Sequence, residues 1–255
     1  MRVASILYEY PFNESIRTML RLEHLYGRLH KLMARDEAVD HHFALVTLFE
    51  IVDVASRADL KSDLLKELER HKTQFQAYRG NPQVAEAALD DVIGRIDAAF
   101  AGLNQLNGKA GQALAGNEWL MSVRSRISIP GGTCEFDLPA YYAWQQHPPA
   151  ARREDLQRWA ATVQALDQAL DVLLRLLRDS GTPRRVAAPG GQFQQSLPPG
   201  RSYHLLRLRL DDGAGVVPEI AGHRLKVTVR FMLADVDSRL RPSPADTAFE
   251  LTLCG

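Results

Sequence analysis

The chain has 255 residues, 45% of them hydrophobic and 24% charged, and these proportions exclude an intrinsically disordered or fibrous protein. Its 31 basic and 31 acidic side chains balance, so no overall charge draws the whole molecule to nucleic acid or to a membrane. The cysteines, Cys134 and Cys254, are too few and too far apart for a disulfide framework or a cysteine zinc site. At this length we expect two modest domains, each with its own hydrophobic core.

The N-terminal segment lacks the features of an export signal. Its apolar run, residues 3–8, is interrupted by Glu9 and is too short for the core of a signal peptide. No stretch of the sequence approaches the roughly 18 apolar residues of a membrane-spanning helix. We therefore expect a cytoplasmic protein without membrane insertion.

The first 180 residues predict a short strand followed by amphipathic helices. Residues 2–9 are rich in β-forming side chains and predict a strand that stops at Pro11. Beyond it, apolar residues recur at spacings of three and four, which is the period of one helical face. The predicted helices cover residues 16–32, 43–54, 60–78, 84–103, 119–125 and 141–146, with a last helix between Pro149 and Gly181.

Specific features are predicted for three of these helices. Ser56 and Asp59 have the spacing of a capping box at the start of the third helix. The apolar face of the fourth helix is expected to comprise Val84, Ala88, Val92, Ile96, Ala99 and Leu103. The last helix has a heptad pattern that can pack inside the domain or against a second subunit. Its members are Leu156, Trp159, Val163, Leu166, Leu170, Leu173 and Leu177.

Two stretches rich in glycine and proline interrupt the pattern. Residues 127–139 alternate and then turn on Pro-Gly-Gly, which predicts an ordered loop or a short hairpin. Residues 181–200 hold four glycines and four prolines and predict an irregular connector. A period of two begins after the connector, with candidate strands at residues 206–210, 225–231 and 248–253.

A helical block followed by a strand block indicates an α+β fold rather than alternating βαβ units. We expect an N-terminal helical domain over residues 12–180 and a C-terminal antiparallel β domain over residues 181–255. The N-terminal strand, residues 2–10, is expected to join the C-terminal sheet. Charge also differs between the two parts, because residues 1–180 carry 21 basic and 24 acidic side chains and the rest carry 10 and 7.

Basic side chains concentrate on the predicted strands. Alternation places Arg207 and Arg209 on one face of their strand, and Arg224, Lys226 and Arg230 on one face of theirs. If the strands share a sheet, its outer face is a basic plate. Such a plate is either a solvated surface or a binding surface for an acidic peptide, a phospholipid or nucleic acid. Nucleic acid is disfavoured because aromatic side chains are scarce on these strands.

Two motifs invite catalytic or metal-binding interpretations. Pro-Gly-Gly followed by Cys134 suggests an anion cradle, or a cysteine nucleophile with His147 as its base. The spacing is not that of a phosphate-binding loop, and a buried cysteine after a tight turn is commoner. His41 and His42 lie beside acidic residues, but adjacent helical side chains point about 100° apart and do not readily share a metal ion. We expect no catalytic residue, no metal site and no cofactor.

Four stretches of the chain match the pattern of a known family. They are residues 9–23 (EYPFNESIRTMLRLE), 63–70 (DLLKELER), 126–139 (RISIPGGTCEFDLP) and 229–232 (VRFM). In this order, and over essentially the full chain, they resemble the bacterial Z-ring-associated protein D (ZapD) family. The string Ser-Ile-Pro-Gly-Gly-x-Cys-x-Phe-Asp-Leu-Pro is long enough to make chance a poor explanation.

The resemblance implies a cytoplasmic, non-enzymatic homodimer that acts at the mid-cell division site. Members of the family bind the short C-terminal tail of the tubulin-like protein FtsZ and bundle its filaments, which promotes Z-ring assembly. A symmetric dimer has two identical tail sites and can hold two filaments at once. The tail site of the family is attributed to basic residues, whose positions here are Arg57, Lys226 and Arg230. Lys226 stands where relatives can have arginine, and lysine lacks the fork that pairs bidentately with a carboxylate.

Two further residues are candidates for the tail site, and other interpretations stay open. Arg224 shares the predicted face of Lys226, and Arg21 on the first helix is a candidate for the same surface. Arg57 can instead form an ion pair with a neighbouring acidic residue. The alternative functions are a nucleic-acid-binding module that uses the basic face of the C-terminal sheet, and a small-molecule enzyme built on the Pro-Gly-Gly loop.

Overall fold

The described residues divide into two compact units. The structure is a computed structural model that describes residues 5–56, 59–106, 108 and 110–255. One unit, Met19–Leu173, is helical, and the other combines Met1–Thr18 with Leu174–Gly255 and contains the strands. The predicted α+β class is confirmed.

The helices follow the predicted order. The predicted last helix is interrupted, because a 3-10 turn at Ala161–Val163 separates α8 from α9. The helices are α1 (Glu14–Met33), α2 (Ala38–Ala55), α3 (Leu60–Gln76), α4 (Glu86–Gln105), α5 (Gln112–Ala115), α6 (Glu118–Ile127), α7 (Pro139–Gln145), α8 (Pro149–Ala160) and α9 (Gln164–Asp179).

Apolar stripes at helical spacing form the core of the helical unit. Helix α2 is apolar around most of its circumference, as expected of a helix surrounded by others. The heptad residues of α8 and α9 are at most 9% exposed in the single chain, which favours packing inside the chain over packing against a second subunit. Burying each such side chain contributes about 1.5–3 kcal/mol. Four rings, those of Trp119, Tyr141, Trp144 and Trp159, join α6, α7 and α8 with centroid distances of 5.3–6.0 Å.

The predicted capping box at α3 is wrong. Ser56 instead ends α2, and its hydroxyl donates to the carbonyl oxygen of Asp53 at 3.0 Å. Asp59 precedes α3 with a φ of 74°, a left-handed conformation in which its side chain makes no capping hydrogen bond to the described residues. The two side chains of the motif therefore flank different helices, with Ser56 at the end of α2 and Asp59 before α3.

The predicted apolar face of α4 is confirmed in the second half of the helix and wrong at its start. The helix begins at Glu86, so Val84 precedes it, and Ala88 is exposed. The buried face starts at Leu89 and Ile93 instead, and it continues through the predicted Ile96, Ala99 and Leu103. Leucine and isoleucine bury more apolar area than alanine, so they determine which face packs inward.

The described strands form two antiparallel sheets. The first, which we call the β1 sheet, has the order β1-β4-β8-β2, and the second, the β6 sheet, has the order β3-β6-β5 with β7 also paired to β6. The expectation that the N-terminal strand, residues 2–10, joins the C-terminal strands is confirmed for residues 5–10 by their pairing with β4, and residues 2–4 lie outside the described residues. The strands are β1 (Ser5–Pro11), β2 (Arg184–Ala188), β3 (Gln192–Ser196), β4 (Leu205–Asp211), β5 (Val217–His223), β6 (Lys226–Ala234), β7 (Leu240–Pro242) and β8 (Thr247–Cys254).

The inner faces of both sheets share one apolar core. Alternate residues of β4 and β6 are buried in it, namely Leu206, Leu208, Leu210, Val227, Val229 and Phe231. Phe249 of the β1 sheet bridges the layers, because its ring lies 5.4 Å from that of Phe193 and 5.2 Å from that of Phe231. The intervening residues of each strand therefore point outward.

The predicted irregular connector at residues 181–200 is wrong, because it contains β2 and β3. Its glycines allow the chain to pass from one sheet to the other. Gly190 and Gly191 have φ values of 56° and 73°, and a side chain on Gly191 would collide with the carbonyl group of Ser243. Gly190 also donates its backbone N–H to Asp246 Oδ1 at 2.7 Å.

Candidate functional site

The outward face of the β6 sheet carries two of the predicted binding residues. Lys226 and Arg230 alternate along β6 with side chains buried in the core, so both project away from it. Register places polar or small residues of β3 and β5 beside them on the same face. We call this surface the β6 face; it comprises Lys226, Thr228, Arg230, Gln192, Gln194, Ser196, Glu219, Ala221 and His223.

Arg230 has a carboxylate partner within its own sheet. Its Nη2 lies 2.6 Å from Oε2 of Glu219, the residue directly opposite on β5. The two side chains are 61% and 52% exposed, so the ion pair is solvated. An exposed pair of this kind contributes at most about 1 kcal/mol to stability.

Lys226 lies at the other end of the β6 face, and Arg224 lies in the adjoining turn. Lys226 is opposite His223 on β5 and Ser196 on β3. Arg224 is exposed, but it occupies the two-residue turn between β5 and β6, so its predicted place on the strand face is wrong. The strand starts one residue after Leu225 because the chain must reverse direction there. Within the described residues, no carboxylate forms an ion pair with either Lys226 or Arg224.

The condition for a single basic plate, that the strands share one sheet, is not met. Arg207 and Arg209 belong to the β1 sheet, whereas Lys226 and Arg230 belong to the β6 sheet. The arginines of the β1 sheet are also paired with carboxylates: Arg207 Nε lies 3.0 Å from Glu9 Oε1, and Arg209 Nε lies 3.5 Å from Glu250 Oε1. Alternation within a strand could not show that the strands belong to different layers.

The other two predicted site residues are not brought to this face by any described contact. Arg57 lies outside the described residues. Arg21 is exposed on α1 in the helical unit and has an interaction partner of its own. The candidate site described here therefore consists of the β6 face and the adjoining turn at Arg224.

Glu219 and His223 were missed because β5 was not predicted. The sequence of β5 does alternate, but Pro218 and Gly222 are unfavourable in strand interiors and obscure the pattern. The hairpin register with β6 is what places Glu219 beside Arg230. Side chains alternate along the chain on both sides of the Arg224-Leu225 turn, and this pattern could have predicted the hairpin.

The Pro-Gly-Gly loop has a structural explanation. Residues 128–138 form consecutive turns, and the described residues of this loop contain no strand pairing. The N–H of Gly132 donates to the carbonyl oxygen of Ile129 at 2.9 Å, and a Cβ on Gly132 would lie 2.8 Å from the carbonyl oxygen of Arg126. Gly132 is therefore required by the close approach of the backbone, and Gly131 by its positive φ of 69°.

The two adjacent histidines contact different partners. His41 is fully buried; its Nδ1 accepts a hydrogen bond from Arg152 Nε at 2.9 Å, and its Nε2 donates to the carbonyl oxygen of Arg35 at 2.8 Å. Nδ1 of His42 forms a 2.7 Å hydrogen bond with the Tyr141 hydroxyl. In the part of the chain that the structure describes, no group of metal-ligating side chains is close enough to bind an ion.

The buried His41 should make stability depend on pH. Burial lowers its pKa below 6.5, and the positive charges of Arg152 and Arg153 lower it further, against the opposing effects of the Arg35 carbonyl group and Asp40. The unfolded chain then binds a proton that the folded chain does not, so stability is full above pH 6.5 and falls as the pH drops below it.

We therefore expect the urea concentration at the midpoint of unfolding to decrease when the pH is lowered from 7.5 to 5. The decrease should be smaller in His41→Gln, which cannot titrate at this position. Other histidines contribute to the slope in both proteins, so the difference between the two slopes measures the contribution of His41. Equal slopes would contradict a neutral His41 in the folded state.

Comparison with known proteins places this fold in a family. The family described as "ZapD: Cell division protein" has a sequence model that matches residues 20–230. The chain belongs to the ZapD family. It is 53% identical over 250 residues to the "Cell division protein ZapD" of Ralstonia pickettii (strain 12J), covering 98% of this chain and 99% of the relative. The proteins of that name from Ralstonia nicotianae and Cupriavidus taiwanensis are each 54% identical with the same coverage.

Family membership assigns this ZapD-family chain a role in cell division. No helix among its described residues is long and apolar enough to cross a membrane. The expected family resemblance is thus confirmed over nearly the whole length.

Proposed function

We propose that this protein binds the C-terminal tail of FtsZ through the β6 face and, as a homodimer, cross-links FtsZ filaments into bundles. In this role it promotes Z-ring assembly in the cytoplasm at mid-cell. The supporting observation is that Lys226 and Arg230 project from alternate positions of one strand, with Arg224 in the adjoining turn. The role needs no catalytic residue, cofactor or metal ion.

Charge and symmetry give this proposal its physical basis. An exposed cationic face attracts a segment that carries carboxylates, and such an attraction weakens as salt shortens the Debye length below about 8 Å. Each contact is weak because both partners are solvated. A dimer presents two sites, and a filament presents many tails, so weak contacts add up along the filament.

The proposal is tested by sedimentation and light scattering of FtsZ filaments. Full-length FtsZ should be bundled by this protein, whereas FtsZ without its C-terminal tail should not. Sedimentation equilibrium of the protein alone should show a dimer. Bundling that does not need the tail, or no bundling of either form, would contradict the proposed tail contact.

Reversing the charge of Arg230 should weaken tail binding. In Arg230→Glu the attraction to a carboxylate becomes a repulsion, and we expect the affinity for a labelled tail peptide to fall about tenfold or more. Because the side chain is exposed, the lost ion pair and the new repulsion from Glu219 should lower the free energy of unfolding by no more than about 2 kcal/mol, and the domain should stay folded. The measurement is fluorescence anisotropy.

Arg239→Glu is the matched control for this variant. Arg239 is exposed in the loop after β6, at the opposite end of the strand from Lys226. Arg239→Glu has the same change of charge as Arg230→Glu. The affinity of this variant for the tail should remain within about twofold of that of the wild type. Equal losses in both variants would indicate a general charge effect and would remove the β6 face from the site.

A further inference from the structure

Arg230, a candidate contact for a carboxylate of the tail, is already paired with Glu219 of its own sheet. The two residues are directly opposite on β6 and β5, and both side chains extend into solvent from the β6 face. The 2.6 Å separation between Arg230 Nη2 and Glu219 Oε2 makes this a close ion pair. A partner carboxylate that approaches Arg230 therefore meets a cation that is already paired.

The two ends of the β6 face differ in this respect. Lys226 and Arg224, at the hairpin turn, have no carboxylate partner among the described residues, and His223 lies beside Lys226. Arg230, four residues along the strand, is neutralised by Glu219. Lys226 and Arg224 can thus attract an acidic segment directly. Arg230 can pair with a carboxylate of that segment only by giving up its pair with Glu219.

We propose that Glu219 is an internal competitor for the carboxylate site on Arg230. On this basis, which rests on the proposed function, binding of the FtsZ tail exchanges the Glu219 carboxylate for a carboxylate of the tail. The exchange replaces one ion pair by another, and the displaced Glu219 stays nearby and repels an acidic ligand. The single-site affinity is therefore kept low, which makes stable attachment depend on the many sites of a filament.

Removing the charge of Glu219 should strengthen tail binding. In Glu219→Gln the guanidinium of Arg230 is released and the repulsion is removed, so we expect a threefold to tenfold tighter affinity, about the value of one exposed ion pair plus a nearby charge. The concentration of protein needed to bundle FtsZ filaments should decrease in parallel. Glu219 is half exposed, so the variant should fold normally.

Glu250→Gln is the matched control. It makes the same substitution and the same change of net charge, and it also breaks an arginine–glutamate pair on a strand, that with Arg209. This pair lies on the outward face of the β1 sheet, away from the β6 face. The affinity of Glu250→Gln for the tail should stay within about twofold of the wild type.

A double variant shows whether the gain passes through Arg230. If Glu219 acts by occupying Arg230, then Glu219→Gln should strengthen binding much less in a protein that already carries Arg230→Gln. A gain of equal size in both backgrounds would overturn the competition. The tail peptide is also tested with an amidated C-terminus, because loss of binding then identifies the terminal carboxylate and unchanged binding identifies a side-chain carboxylate.

The outcomes separate this inference from the proposed function. If the wild type binds the tail and Glu219→Gln binds no more tightly than Glu250→Gln, the competition is wrong and tail binding stands. If no variant binds the tail, the proposed function fails and the competition fails with it.

Discussion

Replacing Arg152 with methionine is expected to lower the free energy of unfolding by about 3–5 kcal/mol, because it leaves several buried acceptors without a donor. Arg152 is 5% exposed. Its guanidinium donates to His41 Nδ1 at 2.9 Å and to the carbonyl oxygen of Gln145 at 2.8 Å, and also to the carbonyl oxygens of His147 and Asp36.

These four acceptors come from separate segments of the helical unit. They include the residues before α2, the first turns of α2, the end of α7 and the turn that follows it. Carbonyl groups at helix ends lack a donor inside the helix, and the guanidinium supplies hydrogen bonds to them. Methionine fills part of the volume but donates no hydrogen bond.

Urea unfolding followed by circular dichroism measures this effect. Arg153→Met is the matched control, because Arg153 is the next residue of α8 and pairs with Asp36 at the surface, where we expect a loss below about 1 kcal/mol. Arg152→Lys keeps the charge but not the planar fork, so it should recover only part of the lost stability. Equal stabilities of Arg152→Met and Arg153→Met would show that the buried network contributes little.

The role of Arg152 could not be predicted from the sequence. Arg152 and Arg153 are neighbours in the first turn of α8, and both have the pattern of a solvated helix surface. Only the tertiary packing of α8 against α2 turns one inward and leaves the other at the surface. Periodicity did predict the helices themselves, because the stripe of apolar residues that repeats along each helix is the side that packs.

The strands also could be predicted only in part from the sequence. Alternation predicted β4, β6 and β8, whose central residues enter the shared core. Proline and glycine hid β2, β3 and β5, since their ends form the corners that connect the two sheets. The consequence for the candidate site is direct: Lys226 and Arg230 were predicted to point outward, but the partner of Arg230 lies on a strand that was not predicted.

Removing the charge of Glu9 should destabilise the β unit by about 2–3 kcal/mol. Oε1 of Glu9 accepts hydrogen bonds from Nε of Arg178 at 2.9 Å and from Nε of Arg207 at 3.0 Å, and Oε2 accepts one from Nη2 of Arg178 at 2.7 Å. The three side chains are only 15–24% exposed. In Glu9→Gln the two guanidinium groups stay close together without a carboxylate, and their repulsion is only partly screened by water.

The Glu9 cluster also joins β1 to β4 and to the end of α9, so its loss should loosen the N-terminal strand first. Amide hydrogen exchange of residues 5–10 should become faster in Glu9→Gln than in Glu250→Gln, which breaks the more exposed pair with Arg209 on the same outward face. Replacing Arg207 by glutamine together with Glu9→Gln removes one of the two uncompensated cations and should restore part of the lost stability. The single variant Arg207→Gln gives the cost of that change alone. If the double variant is less stable than Glu9→Gln by this full cost, repulsion between the arginines is not the cause. The effect of Glu9 then lies in its hydrogen bonds to Arg178.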